Sequence, residues 1–338
     1  MKKLIILLTC IILFNMSCSN KQAENYKESG DEKYFNDDFQ GAAEDYNKAI
    51  SKNSKYADAY FARANLKYYL GYDKNAIKDL DKAIKYYPNS SKAFRLRGDV
   101  KSDLGNNYGA IEDYTKAIRI KPKDELSYNC RGEAKLSLGD DKGALKDFNK
   151  AIELNPKEAY SYFCRGTARL NLFNCKDAAK DFSKSIQLDP YDTVSYISRA
   201  SAKIYLGDNL GAILDCSKAL ELKPKSGTAY NQRGKAKFYL GDIKGAIEDF
   251  SKAIEINPKS AVAYNNRGKA KYLFGDNQGA IEDLNIAIKF MTNYGRAYLN
   301  RGNAYYKSGK RYEASSDWSK AAELGLLEGY DLINKYCK

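Results

Sequence analysis

Residues 257–290 read NPKSAVAYNNRGKAKYLFGDNQGAIEDLNIAIKF. In the first half Ala263, Tyr264, Arg267, Gly268, Ala270 and Lys271 follow helical i, i+4 spacing, and Gly275-Asp276 interrupts the run. In the second half Ala280, Ile281, Leu284, Ala287 and Ile288 make an apolar stripe about 100° wide on a helix. Glycine suits the left-handed residue that ends a helix, and aspartate suits the cap of the next one. Asn257-Pro258 closes the preceding segment, because proline donates no amide and biases the residue before it away from helix. The stretch therefore reads as two short helices joined by a tight turn. A pair of this size cannot bury its own stripe and has to stack on copies of itself.

The copies are present. All six prolines, Pro88, Pro122, Pro156, Pro190, Pro224 and Pro258, lie 34 residues apart. Nine alanines recur on the same ruler from Ala42 to Ala314, and nine aromatics recur sixteen residues ahead of them, from Tyr26 to Tyr298. Counted from Ala23, nine units of 34 end at Glu328, so residues 23–328 form one array with no room for a separate catalytic domain. Within Ala321–Tyr336, Leu324, Leu326, Leu327, Tyr330, Leu332 and Ile333 fall on a helical stripe and are expected to close the array, with 329–338 as its cap. The expected fold class is all-α.

The order of marks within a unit resembles the tetratricopeptide repeat (TPR) family. Tyr230, Arg233-Gly234, Ala246, Phe250, Ala253 and Pro258 follow its pattern, as do Phe94, Arg97-Gly98, Ala110, Tyr114, Ala117 and Pro122. The resemblance implies a right-handed superhelical solenoid of about nine helix-turn-helix units plus a C-terminal capping helix. It further implies that the first helices line a concave groove that takes an extended or helical peptide.

Where the common family version has Leu before the Gly and Tyr four residues on, this chain has Arg and Lys. Arg63, Arg97, Arg131, Arg165, Arg199, Arg233, Arg267 and Arg301 recur, and so do nine aspartates from Asp45 to Asp317. Both signs at fixed register beside small residues point to a ladder of guanidinium–carboxylate forks. The other reading aims the arginines into the groove toward an acidic ligand. Spacing leaves open whether each Asp pairs with the Arg of its own unit or of the next. Unit one has Asp45 but carries Ser29 in the arginine position.

Composition removes whole classes of chemistry. The 338 residues contain no histidine, which excludes Ser/His/Asp and Cys/His nucleophile systems and imidazole metal sites. The Gly-Asp-x-x-Gly-Ala turns lack the Gly-Lys-Ser/Thr of a phosphate loop and the alternating acids of a calcium loop. No C-x-x-C occurs, Cys216 stands in an aromatic core position, and Cys130 and Cys164 sit one period apart at a separation that disfavours a bridge. The chain is expected to be non-enzymatic, with no cofactor and no metal. Its net charge of +13 is interleaved along the sequence, which argues against a nucleic-acid arm.

The N-terminus reads as an address. Lys2 and Lys3 precede the apolar run Leu4–Phe14, which as a helix rises roughly 16 Å, too short for a bilayer core near 30 Å and suited to a signal-peptide core. Ser17-Cys18 resembles the lipobox of bacterial lipoproteins, although Asn15 and Met16 replace its usual Leu and small residue. The resemblance implies removal of 1–17, lipidation of Cys18, and a short tether at 18–22. Export and a lipid anchor in the bacterial cell envelope follow as expectations. Ser19, in place of an Asp-type retention cue, favours an outer membrane where there is one.

If the family groove holds, it is lined by residues two before and one, five and eight after each recurring aromatic. The middle units supply an apolar strip that includes Phe163, Leu170, Ile197 and Ile204, and the last three supply Asn231, Lys235, Asn265, Lys269, Arg296 and Asn303. The partner expected there is a protein or peptide segment with apolar anchors and an acidic or carboxylate end. Self-association could instead cover the apolar strip. As the resemblance implies, envelope lipoproteins with such repeats act as scaffolds or adaptors. The alternative is a carbohydrate or peptidoglycan binder using the 29 tyrosines.

Overall fold

The computed structural model describes residues 2–336, with side chains described for 19–336. Two compact units divide the chain, Met1–Lys157 and Glu158–Lys338. In the first, α1 (Lys2–Phe35), α3 (Ala57–Tyr69), α5 (Ser91–Asp103) and α7 (Glu125–Ser137) alternate with α2 (Phe39–Lys52), α4 (Asp73–Tyr86), α6 (Asn107–Ile120) and α8 (Asp141–Leu154). In the second, α9 (Ala159–Asn171), α11 (Thr193–Tyr205), α13 (Gly227–Tyr239), α15 (Ala261–Phe274) and α17 (Gly295–Lys307) are the first helices of hairpins. Their partners are α10 (Cys175–Leu188), α12 (Asn209–Leu222), α14 (Ile243–Ile256), α16 (Asn277–Phe290) and α18 (Arg311–Glu323), followed by α19 (Glu328–Tyr336). The described residues thus form helical hairpins in tandem and contain no strand.

Local chemistry sets each hairpin. The side chains of Asp38, Asn106, Asp140, Asp208, Asp242 and Asp276 each accept the amide of the glycine three residues on, at 2.8–3.0 Å, which caps the second helix. Ahead of the cap stands a left-handed residue, for example Gly241 at φ 85° and Gly275 at φ 95°. At the far end the residue before proline is extended, as at Asn257 (φ −128°, ψ 88°).

Packing within a hairpin depends on absent side chains. The recurring alanines Ala42, Ala76, Ala110, Ala144, Ala178, Ala212, Ala246, Ala280 and Ala314 are all fully buried. A Cβ added at Gly166 would lie 2.7 Å from the Phe182 ring, so the aromatic of the second helix rests directly on first-helix backbone. Cys216 takes that aromatic position in α12 and is wholly buried, as its register indicated. Cys130, Cys164, Cys175 and Cys216 are free thiols.

Two local readings change. The stripe Ala321–Tyr336 is not one helix, because α18 ends at Glu323 and Gly325 turns the chain at φ 92°. The cap is α19 alone, which with Leu326 brings Leu332, Ile333 and Tyr336 onto Leu299 and Trp318. At the other end, residues 18–22, expected as a tether, lie within α1, and Ala23 is already fully buried.

Two hairpins break the glycine rule. Asp37 (φ 60°) and Phe173 (φ 59°) are left-handed where the other turns use Gly, and 80 % of the Phe173 surface stays exposed. Left-handed backbone costs a side-chain-bearing residue about 1–2 kcal/mol, and glycine returns part of that through the entropy of the unfolded chain. Phe173→Gly should therefore raise stability by about 0.5–1 kcal/mol and Gly139→Phe should lower it, as read from denaturant midpoints.

Candidate functional site

The recurrent charges face inward on the hairpins and not toward a ligand. Arg199 donates from Nε and Nη2 to the two carboxylate oxygens of Asp215, at 2.9 and 2.6 Å, and Lys203 Nζ adds a third contact at 2.9 Å. The same fork joins Arg63 to Asp79, Arg97 to Asp113, Arg131 to Asp147, Arg165 to Asp181, Arg233 to Asp249, Arg267 to Asp283 and Arg301 to Asp317. Each Asp therefore pairs within its own repeat, across the two helices of one hairpin. The remaining Nη1 reaches back one repeat: Arg63 to Asn47, Arg97 to Asp81, Arg131 to Thr115, Arg199 to Ser183 and Arg301 to Asn285. The guanidinium also covers the recurring aromatic three residues earlier, 5.3–5.6 Å from its ring centre.

The two ends of the ladder are incomplete in opposite ways. In the first hairpin Ser29, Lys33 and Lys48 replace the arginine and bind Asp45 at 2.6–2.9 Å. Burial pushes the Asp45 carboxyl up, but these donors outweigh it and hold the group down at about 2. Burial likewise raises Asp113, and its bonds to Arg97 and Lys101 more than reverse the effect. In the last hairpin Tyr305 stands where the others have a second cation, and burial leaves Asp317 above the ordinary carboxylate range despite Arg301.

The first helices of the second unit carry the residues singled out for partner binding. α9 touches α11, α11 touches α13, α13 touches α15 and α15 touches α17, so these helices lie side by side. Phe163 is half-buried, with its ring 5.9 Å from Phe182 and stacked at 6.2 Å on Tyr160. Leu170 packs with Phe163 against Ala178, Phe182 and Ala202. Ile197 leans on the Ile186, Tyr196 and Leu220 cluster, and Ile204 on Ala200, Ala212 and Cys216. Each of these apolar side chains thus spends one flank on the seams between hairpins and leaves the other open.

The polar end is partly committed to itself. Asn266 donates to Asn231 at 3.0 Å, Asn265 donates to Asn266 at 3.3 Å, and Asn300 donates to Asn265 at 2.9 Å, giving an amide chain across α13, α15 and α17. Asn265 is buried, and the Asn303 oxygen accepts the Trp318 indole N–H at 3.0 Å. Asn266 and Asn300 were not foreseen as members of this network, and their only sequence signal is the doubled amide at positions 265–266. Three cations remain. Lys269 lies 5.3 Å over the Phe238 ring. Burial, and then the neighbouring Arg296, pull Lys235 below the ordinary lysine range, and neither side chain has a carboxylate partner among the described residues.

Among the described residues no group of three or more Cys, Asp or Glu side chains is placed to hold a metal ion. Cys18, the expected lipidation residue, has its side chain outside the described residues.

Comparison with known proteins agrees with the hairpin reading. The TPR repeat profile matches residues 98–139 and 234–275, and a second tetratricopeptide repeat profile matches 57–90 and 127–158. A tetratricopeptide repeat protein from Parabacteroides merdae superposes with TM-score 0.57 at 21 % identity, over 73 % of this chain and 98 % of that one. The C-terminal part of a TPR repeat-containing protein from Cytophaga hutchinsonii gives 0.56 at 20 % identity, over 71 % and 98 %. The APC/C heterotetramer Cut9–Hcn1 gives 0.63 at 15 % identity, over 93 % of this chain and 76 % of that one. At these identities the likeness is one of fold. No curated protein sequence matches the chain. Tetratricopeptide repeat profiles thus match 57–90, 98–158 and 234–275, and the fold is that of a TPR solenoid.

Two tests address the ladder. Arg199→Leu should cost about 3–5 kcal/mol by orphaning Asp215, and Arg199→Leu with Asp215→Leu should recover at least half of it, as measured in a double-mutant cycle. Carboxyls held low in the folded state stabilise it above their unfolded value near 4 and lose that contribution as pH falls through the folded value. For Asp45 the loss falls between roughly pH 4 and about 2, and Lys33→Met should flatten the acid limb of the stability curve there.

Proposed function

We propose that this chain is an exported, lipid-anchored scaffold of the bacterial cell envelope, and that the first-helix face of its second unit holds a partner protein segment. The observation that carries the binding reading is the polarity of that face. Phe163, Leu170, Ile197 and Ile204 offer apolar flanks on α9 and α11, and Lys235, Lys269 and Arg296 follow on α13–α17 without carboxylate partners. A half-buried ammonium beside a guanidinium is an unrelieved pair of like charges, and an incoming carboxylate would relieve it. The segment that fits has apolar side chains followed by an acidic or carboxylate end. Because Asn265 and Asn303 are bonded inside the protein, the cations and not the amides select that end.

Carbohydrate stacking finds less support. The recurring tyrosines lie under arginine guanidiniums, which leaves those faces unavailable to a sugar ring. Export and anchoring are supported by Leu4–Phe14 and by Ser17-Cys18. Among the described residues no helix is long and apolar enough to cross a membrane.

Photo-crosslinking residues placed in living cells at positions 170, 204 and 269 should trap one common partner, and the same residue at 218 or 252 on the second helices should not. Identical adducts from both faces, or none from the first, would contradict the proposed face. For the anchor, Cys18→Ala should abolish palmitate labelling and move the protein from the membrane to the soluble fraction; retention of label would refute it.

A further inference from the structure

We propose that the edge of the first unit formed by the C-terminal ends of α2, α4 and α6 is a docking surface for an anionic phospholipid bilayer. The inference rests on the anchored reading above and adds a second, electrostatic contact with the same membrane.

The repeat register isolates the signal. In the second helices a recurring lysine is followed three residues on by an acid that pairs with it: Lys150–Glu153, Lys218–Glu221, Lys252–Glu255 and Lys320–Glu323, at 2.6–2.8 Å. In the second, third and eighth repeats that acid is replaced by a cation, Lys85, Arg119 and Lys289, and only in the second and third does it stand beside the recurring lysine, giving Lys82 with Lys85 and Lys116 with Arg119. Cations at helix C-termini are favoured by the helix dipole. That cannot be the reason here, because the same site carries glutamate in four other repeats. Lys52 and Lys55 in the first repeat, and Lys123 after α6, extend the same edge. Lys52, Lys55, Lys85, Arg119 and Lys123 are exposed, and none has a side-chain partner among the described residues. Asp58, Asp124 and Glu125 are carboxylates beside this edge, with Glu24 and Glu28 of α1 near Tyr56, and Asp124 is already engaged by Lys121, Arg95 and Ser127.

The position of the N-terminal segment identifies the occupant. Ser19 Oγ donates to the Lys52 carbonyl at 2.5 Å, and Asn53 donates to Asn20 at 2.9 Å, so the residues just after Cys18 lie at the end of α2. From that point α1 continues toward Leu4–Phe14. A membrane holding the N-terminus would therefore meet this edge first, at a range where unscreened cations and phosphate headgroups attract across a Debye length of about 8 Å. Each basic residue near such a surface strengthens binding by about fivefold.

The test is flotation of the full chain with vesicles of phosphatidylcholine alone, or with one-quarter phosphatidylglycerol. The expected result is binding at least tenfold stronger to the anionic vesicles, with that increment lost at high salt. It should also be lost in the variant Lys52→Glu, Lys85→Glu, Arg119→Glu, Lys123→Glu, and halved or more when the same four residues are changed to Gln. Lys223→Glu, Lys225→Glu, Lys259→Glu in the second unit should leave it unchanged, with circular dichroism confirming the fold of every variant. An increment that is absent, or that survives salt and charge reversal, overturns the proposal. Binding to neutral vesicles without an anionic increment would leave the anchor standing and remove this edge. A salt-sensitive increment without neutral binding would do the reverse.

Discussion

A carboxylate buried between two helices must be met by fixed positive charge, and here that requirement repeats nine times. Asp113 is only 1 % exposed, and its oxygens are filled by two nitrogens of Arg97 and one of Lys101. Leaving such a group unpaired costs several kcal/mol, so the fork dictates which first helix pairs with which second helix. Because the third guanidinium nitrogen reaches the preceding hairpin, the same residue that closes one repeat also aligns it on its neighbour. Apolar burial supplies the attraction between helices, and the forks supply register. Glycine and alanine at the crossings set the distance at which both can operate.

The division of labour has a functional consequence. Arginines that could have offered a row of positive charge to a ligand are consumed in the scaffold, along with the faces of the tyrosines beneath them. What remains on the first helices of the second unit is whatever the repeat does not need: open flanks of Phe163 and Ile197, and cations at Lys235 and Arg296. Such positions vary from repeat to repeat, which allows one backbone to present different chemistry along its length. On the edge at the C-terminal ends of the second helices the same logic holds, with lysine or arginine standing in three repeats where four others carry glutamate.

Most of the fold was legible in the sequence because a period averages out local ambiguity. One copy of Gly275-Asp276 is a weak turn signal, whereas the same signal repeated through the chain fixes hairpins, caps and seams. The Arg and Asp registers were legible too, but their pairing was not. Partners sixteen residues away in the same hairpin and eighteen residues away in the next are both allowed by spacing, and only the side-chain geometry separates them. Departures from the average were least visible. Phe173 occupies a left-handed turn that its sequence neighbours do not advertise. Asn303 looked available to a ligand, yet Trp318, larger than the aromatics at its position elsewhere, brings an indole N–H that claims it. The amide chain through Asn231, Asn266, Asn265 and Asn300 needs three adjacent first helices before it exists at all.

The central claim is that each fork binds two neighbouring repeats and no more. Native-state hydrogen exchange on the Arg199→Leu protein measures this directly, helix by helix. The account predicts lost protection in α11 and α12, which the Arg199–Asp215 fork joins, and in α10, which Arg199 reaches through Ser183, with α15–α18 unchanged. Loss spread evenly over every hairpin, or confined to α11 and α12 alone, would contradict it.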